Sequence, residues 1–486
     1  MNMFEQIRNR YCQLLWSGAF YHSVLRYQDA DQAPDVHERT LVPGSIPGTW
    51  YWPDIDYADE TRSEWKTAIH YSRLLFTLKI NGPQRLREDP EFAQKMVGTL
   101  EYWLHNRFAN PNWWHNDIGT PMNIASVLLM LYPVLSRDTL ERGADVVAAG
   151  SFAAHPEFSQ GWTGANLIWG AANTIRHAIL IEDEALLRQA VNRAALELRI
   201  ADNGAEGIQP DGSFFQHGPR LYSGGYGRSF ADEIAQIAFC LQQTPFQFSK
   251  DCLDSFLVHI LDGLRYMTRG SSLDYACIGR EFARVNAVSA GKLRDALWLM
   301  TQTADMPRQS ELAAYWDAMN GGKPLTGTKY FPQAAFLCHH MEGLYVGSKF
   351  ATDRIWDAEI CNGEGELQYN MSYGTHTCIM HDGSEYLNIP PIWDYARIPG
   401  TTARPESDAQ LLTHRDWWCI PLPNSHYGGQ QKGNRAVIYE LAQHDGIEVS
   451  VSHFAFEGGF VCLGAGITGA GPLVTTVDQC HLQGSV

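Results

Sequence analysis

Residues 308–339 read RQSELAAYWDAMNGGKPLTGTKYFPQAAFLCH. The first part, 308–319, carries apolar residues at helical spacing. Gly321-Gly322-Lys323-Pro324 then ends that pattern, because paired Gly and a Pro cannot continue a helix. Beyond the break the periodicity changes, and Ala334–His339 reads as a short strand. One chain therefore changes from helix to strand near residue 322.

Upstream of this point the helical reading extends far. In 64–80, Trp65, Ile69, Leu74, Leu75 and Leu78 fall at near-helical spacing. Similar segments cover about 90–106, 121–135, 161–181, 184–200, 230–243, 249–268 and 286–303, separated by loops rich in Gly, Pro, Asn and Asp. Such a series must curve into a bundle, a solenoid or a closed toroid to bury its apolar faces. Downstream the runs are short and partly β-branched or aromatic: Gly343–Phe350, Thr375–His381, Ala436–Leu441, Ile447–Phe456 and Phe460–Leu463. The expected organisation is a helical domain over 1–322 and an antiparallel β domain over 323–486. The last run, Val474-Thr475-Thr476-Val477, is followed by no closing element.

Composition narrows the function. The 486 residues imply two or three domains. A net charge of −17 argues against a nucleic-acid partner, which calls for a basic stripe. It leaves an anionic substrate open, because local Arg clusters can act inside an acidic protein. Ten scattered cysteines without a CxxC pair read as buried free thiols rather than a disulfide or zinc scaffold. The N-terminus MNMFEQIRNRYCQLLWSGAF lacks the apolar core of a signal peptide, which leaves a cytoplasmic protein or a removed leader. No run of about 18 apolar residues predicts a membrane span. The 15 Trp and 21 Tyr fit either a core of large side chains or a sugar cleft with exposed rings.

Four loop segments carry chemistry. In NWWHNDIGTP at 112–121, adjacent Trp113 and Trp114 cannot both face one core, so at least one lines a cleft or the surface. Asn166, in the segment GWTGAN that opens a helix, reads by itself as a cap. DGSFFQH at 211–217 is followed by YSGGYGR at 222–228, which puts His217 and Tyr226 on one Gly-rich loop as an acid–base candidate. In GREFAR at 279–284, a helix would put Arg280 and Arg284 on one face, where like charges call for an anion or a carboxylate partner. The alternative there is solvated surface charge.

Together these segments resemble polysaccharide lyase family 8, which includes chondroitin AC lyase, hyaluronate lyase and xanthan lyase. NWW…IGTP, TGAN (163–166), DGSFFQH, GGYG (224–227), GREFAR, NGEGE (362–366) and RIPGTT (397–402) occur in the family's order. The resemblance implies an α+β multidomain protein: an α/α toroid, an incomplete barrel of helical hairpins, followed by an antiparallel β-sandwich. It implies that Asn166 binds the uronate carboxylate and that His217 and Tyr226 form the acid–base pair. Arg280 and Arg284 would surround Tyr226 and the substrate, and Glu364 would orient the Arg and His groups. Trp113, Trp114 and Asn116 join Arg284 as substrate contacts. The implied partner is an anionic uronate polysaccharide, with no nucleic acid, no membrane and a monomeric enzyme. No cofactor or catalytic metal is expected, although a structural cation such as calcium is compatible, and the family points to an extracellular or periplasmic location.

The reaction suits these residue types. β-Elimination removes the C5 proton beside the uronate carboxylate and expels the C4 glycosidic oxygen. Neutralising that carboxylate stabilises the enolate-like transition state. A free Tyr titrates near 10, and nearby Arg charge is expected to lower that value. Either Tyr226 or a neutral His217 can take the proton. Two departures from the family, Asp117 for Glu and Leu167 for a basic residue, bear on substrate contacts. The length suggests a truncated product or a minimal member, with exposed sheet edges if truncated. Two rivals stand beside the lyase. A toroid glycoside hydrolase needs two carboxylates, drawn from Asp117, Asp211, Glu364 and Glu366, and a glycan-binding protein needs no chemistry. His339-His340 and His376…His381 lack HExxH spacing and read as core or surface residues rather than metal ligands.

Overall fold

The computed structural model describes residues 2–17, 36–202, 204–356, 359–372, 375–414 and 426–482. The chain forms two compact units, Met1–Glu197 with Glu233–Phe248, and Leu198–Asp232 with Ser249–Val486.

The first unit is built from helices in antiparallel pairs. Ile69–Glu88 packs with Pro90–Asn106, Thr120–Leu131 with Arg137–Ala148, and Gly164–Ile181 with Glu184–Glu197. Local chemistry sets the boundaries. Asp89 caps the second helix by accepting from Phe92 N at 3.0 Å, and Pro90 fills the first turn, where its missing N–H costs nothing. Ser136 caps Arg137–Ala148 in the same way. That helix and the N-terminal one, Met3–Ser17, add to those expected from periodicity. The pairs bury Leu74, Leu75, Leu78, Leu100, Leu128 and Ile168 almost completely. Trp65 and Trp103 meet edge-to-face at 5.8 Å in the same core. A buried Arg176–Glu233 ion pair at 2.5 Å satisfies charge that burial would otherwise make costly.

The second unit holds two four-stranded antiparallel sheets. In the first, the spatial order is His376–Met380, Tyr345–Lys349, Phe336–His340, Gly327–Phe331. The second is a meander of Tyr427–Lys432, Arg435–His444, Ile447–Phe456 and Gly459–Thr468. The alternation along Arg435–His444 buries Ala436, Ile438 and Ala442 against Leu337 and Phe350, while the odd positions face outward. Gly327–Phe331 and Tyr427–Lys432 escaped the pattern reading, the second because Gly and Gln carry almost no hydrophobic signal. Thr402, in the RIPGTT segment, pairs with Thr475 of the last short strand.

Two sequence expectations change. The segment 249–268 is α-helical only over Lys250–Leu257, then widens into a π turn over Val258–Gly263 and tightens over Leu264–Met267. The cause is a close approach: a Cβ at Gly263 would lie 2.0 Å from the Gly212 carbonyl. The thiols also divide. Cys240, Cys277, Cys338 and Cys378 are buried, whereas Cys462 and Cys480 are exposed; Cys419 lies outside the described residues. The helical part followed by antiparallel sheets is as expected. Among the described residues no helix is long and apolar enough to cross a membrane.

Candidate active site

His217 and Tyr226 sit on one loop because short local devices fold it back. Asp211 accepts from Ser213 N and Oγ at 3.0 and 2.6 Å, which makes an Asx turn. Phe214–Phe215 then pairs with Gly207–Ile208. His217 has φ 58°, a left-handed conformation that is uncommon for a non-Gly residue and occurs where surrounding structure enforces it. The glycines flanking Tyr226 allow close approach, as the sequence suggested. A Cβ at Gly225 would lie 2.9 Å from the Ile278 carbonyl, and one at Gly227 would lie 3.0 Å from His259 Nε2. The result is a ring cluster: His217 lies 4.8 Å from Tyr226, and Tyr222 meets Tyr226 edge-on at 5.0 Å.

Arg280 ties this cluster together. Its Nη2 donates to Tyr226 OH at 3.1 Å, and its Nε to Glu364 Oε2 at 3.2 Å. Its Nη1 pairs with Glu359 Oε1. Glu359 is fully buried and also binds His217 Nδ1 at 2.8 Å and Tyr222 OH at 2.6 Å. Glu364 takes Arg284 in a two-pronged pair at 2.5 and 2.8 Å, and Glu281 holds the other side of Arg284 at 3.1 Å.

This arrangement corrects the Arg reading. GREFAR is not a surface helix: Gly279–Ala283 is one 3₁₀ turn, and Arg284 follows it in extended conformation. The two guanidiniums are held together by the Glu364 carboxylate, one of the two partners their charges called for. The expected second task of Glu364, orienting His217, is performed by Glu359.

The electrostatics correct a further expectation. Tyr226 is pushed up to about 12, because burial outweighs the opposing pull of Arg280, with Glu281 and Glu359 adding to the rise. Tyr222 is pushed well above its ordinary value, first by burial and then by Glu359. Burial would also raise the Glu359 carboxyl. The His217 hydrogen bond and the charges of Arg280, His217 and Arg220 prevail and hold it at about 2. An ionised Glu359 accepts the proton on His217 Nδ1, which leaves the lone pair of a neutral ring on Nε2.

The remaining candidates belong to the first unit. Trp113 is 46% exposed and lies 5.5 Å from Trp162, which stacks on Phe158 at 3.8 Å. Trp114 turns its edge to Trp169 at 5.7 Å. One of the two tryptophans is therefore open, as their adjacency required. Asn166 is not the helix cap: Thr163 occupies that position, and Asn166 stands in the first turn of Gly164–Ile181. Its buried Oδ1 has no hydrogen-bond partner among the described residues. The amide of Asn116 accepts from Asn110 N at 2.9 Å and donates to Asn110 O at 2.8 Å, so it braces its own loop.

Sequence reasoning passed over Glu359, Tyr222 and Arg220. Tyr222 had a signal in its place on the same Gly-rich segment. Glu359 had none, because it stands 142 residues from His217. Arg220 Nη1 donates to the His217 carbonyl at 2.8 Å and lies 3.6 Å from Glu359.

Comparison with known proteins gives the family. Residues 32–319 match the N-terminal alpha-helical domain of polysaccharide lyase family 8, and 326–486 match its super-sandwich domain. The chain is 27% identical to a chondroitinase-AC of Pedobacter heparinus, covering 94% of this chain and 65% of that protein. It is 24% identical to a xanthan lyase of a Bacillus species (strain GL1), covering 77% of this chain and 43% of the relative. It thus spans from under half to about two thirds of the length of these relatives. A solved chondroitinase AC lyase shares the fold with a TM-score of 0.84 at 24% identity, over 99% of this chain and 70% of that one. On these matches the chain belongs to polysaccharide lyase family 8.

Proposed function

We propose that this protein cleaves a uronate-containing anionic polysaccharide, of the chondroitin or hyaluronate kind, by β-elimination. One observation carries the reading. A His held by a buried carboxylate and a Tyr held by a buried guanidinium stand ring to ring, with the same Arg280 touching both partners.

The chemistry follows from the protonation states. With Tyr226 at about 12, forming tyrosinate at pH 7 costs roughly 7 kcal/mol, since each pH unit is about 1.4 kcal/mol. Tyr226 therefore works as the phenol and donates its proton to the departing C4 oxygen. His217, with Nδ1–H on Glu359, takes the C5 proton at Nε2. Glu359 then stabilises the imidazolium that forms, as the carboxylate of a catalytic triad does. Asn166 supplies the amide that meets the uronate carboxylate. The unpartnered end of its side chain supports this role, because rotating the amide presents NH₂ in place of oxygen. Arg284 and Asn116, whose polar groups are taken up within the protein, position neighbours rather than grip substrate.

The helical domain over 1–322, the β domain over 323–486, the monomeric state, action outside the cytoplasm and independence from a catalytic metal go with this proposal. A hydrolase is less well supported. Asp211 is occupied by its own turn and by Gln333 N, and Glu364 by two arginines.

The test is incubation with chondroitin, hyaluronate and xanthan, followed by ultraviolet absorbance. A lyase creates a conjugated unsaturated uronate, whereas a hydrolase releases reducing ends without new absorbance. Release of that second kind would refute the proposal. His217→Ala is expected to lower kcat by about 10²–10⁴-fold. Asn166→Ala should cost about 10²–10³-fold, chiefly in kcat, because its interaction strengthens as the enolate forms. Initial rates on the best polymer check both.

A further inference from the structure

The catalytic cluster is not the only place where positive charge converges in the second unit. A cavity of about 290 Å³ opens where the helix Gln309–Met319 runs into the segment Lys323–Thr326. This lies near the lower end of ligand-pocket sizes, ~300–1,000 Å³. Arg265, Arg269 and Lys323 stand on its wall against one carboxylate, Asp317, and none of the four takes part in the chemistry above. In a chain of net charge −17, a lining of three cations and one acid stands out, with Glu311, Glu385 and Asp382 as the further acids that act on those cations.

These cations are incompletely neutralised. Arg269 is buried, and its guanidinium donates to three main-chain carbonyls: His381 at 2.8 Å, Glu342 at 3.2 Å and Met341 at 3.5 Å. Those bonds fix it in place, and the nearby charges of Glu385 and Asp382 offset only part of the cost of its burial. Arg265 reaches Glu311 only at 3.9 Å, and Glu311 is already held by Arg308 at 2.7 and 2.8 Å. Lys323 is exposed and enters no ion pair among the described residues. His340, also in the lining, adds no positive charge, because it is buried with Nε2–H on the Tyr266 carbonyl at 2.8 Å. Burial, with Arg269 and Arg265 beside it, holds that ring neutral. Thr268 and Tyr315 join their hydroxyls at 2.8 Å and add polar groups to the lining. A buried cation held by main-chain carbonyls, a half-buried one and an exposed one around a small cavity of mixed polar and apolar lining form a receptor for an oxyanion on a polar body.

We propose that this cavity is a second anion-binding site, separate from the catalytic cluster, which takes the carboxylate or sulfate of an acidic saccharide. The choice of a saccharide rests on the lyase reading; the anion site itself does not. Its effect would be to hold another stretch of a long polymer and raise local substrate concentration, without touching the bond that breaks.

The experiment uses the whole chain and three probes, inorganic sulfate, glucuronate and glucose, followed by calorimetry in low salt. Sulfate and glucuronate should bind and glucose should not. A double variant, Arg265→Gln with Lys323→Gln, should weaken both anions by about tenfold or more, the loss of one charge-assisted hydrogen bond. Both positions are at least partly exposed, so folding should survive, and unchanged thermal unfolding checks this. Lys323→Glu alone serves as a second variant and should weaken both anions in the same direction. Tyr226→Phe, which leaves every cation in place, should bind the anions as the unaltered protein does. On a long polymer the double variant should raise KM several-fold at unchanged kcat, with no change on the shortest cleavable fragment. Anion binding untouched by the double variant would overturn the site. Sulfate binding without glucuronate binding would overturn the saccharide assignment. Absence of turnover on every polymer would count against the lyase reading instead, and the sulfate titration would remain decisive for the cavity.

Discussion

Tyr226→Phe is expected to lower kcat by about 10³-fold or more while KM and polymer retention stay within about twofold. The substitution removes one oxygen from a buried ring that otherwise stays packed against His217 and Tyr222. It deletes the proton that the leaving oxygen needs. It also frees Arg280 Nη2 from a 3.1 Å hydrogen bond, although Glu364 and Glu359 still hold that guanidinium. Binding should therefore survive and the chemical step should not. A fluorinated tyrosine of lower pKa sharpens the test. If Tyr226 acts as the phenol, easier ionisation should extend the acid limb of activity little and shift the alkaline limb down. Near-normal turnover of the Phe variant would end the proposed mechanism.

Glu359→Ala should cost as much in rate and more in stability. Its carboxylate is the shared partner of Arg280, His217 and Tyr222. Removing it leaves a buried guanidinium short of charge and frees the His tautomer. Breaking a buried ion pair costs about 3–5 kcal/mol, and losing the tautomer-fixing acid of a catalytic histidine costs up to about 10⁴-fold in kcat. Glu359→Gln separates the two losses, because it retains shape and one acceptor. The pH dependence follows from the lowered pKa of this carboxyl. Folding lowers this carboxyl from an ordinary ~4.3 to about 2. Its stabilisation is therefore complete above ~4.3 and is lost as the pH falls toward 2, an amount of roughly 3 kcal/mol. Urea unfolding at neutral pH and near pH 3 should show the gap between wild type and the Gln variant narrowing in acid. A constant gap, together with unchanged kcat, would remove Glu359 from the site.

Much of this molecule is legible in order along the chain. Helical periodicity places Pro90–Asn106, Glu184–Glu197 and Gln309–Met319, and a run of β-branched and aromatic residues places Ile447–Phe456, because each pattern needs only neighbours in sequence. The Gly-rich segment around Tyr226 declares a close approach for the same reason. Where a helix meets a remote backbone, as Gly263 meets Gly212, periodicity overreaches, since the widened turn answers to a contact about 50 residues away.

The sequence by itself determined the helix-then-sheet order, the loop that pairs His217 with Tyr226, and the need of Arg280 and Arg284 for a countercharge. Only the tertiary structure decided that Glu364 supplies part of that charge, that Glu359 rather than Glu364 holds the histidine, and that Tyr226 remains a phenol. The physical reason is burial. Spacing records which charges lie near one another in the chain, but an acidity constant depends on how much water is removed and which distant groups replace it. Around Tyr226 the lost water outweighs the arginine.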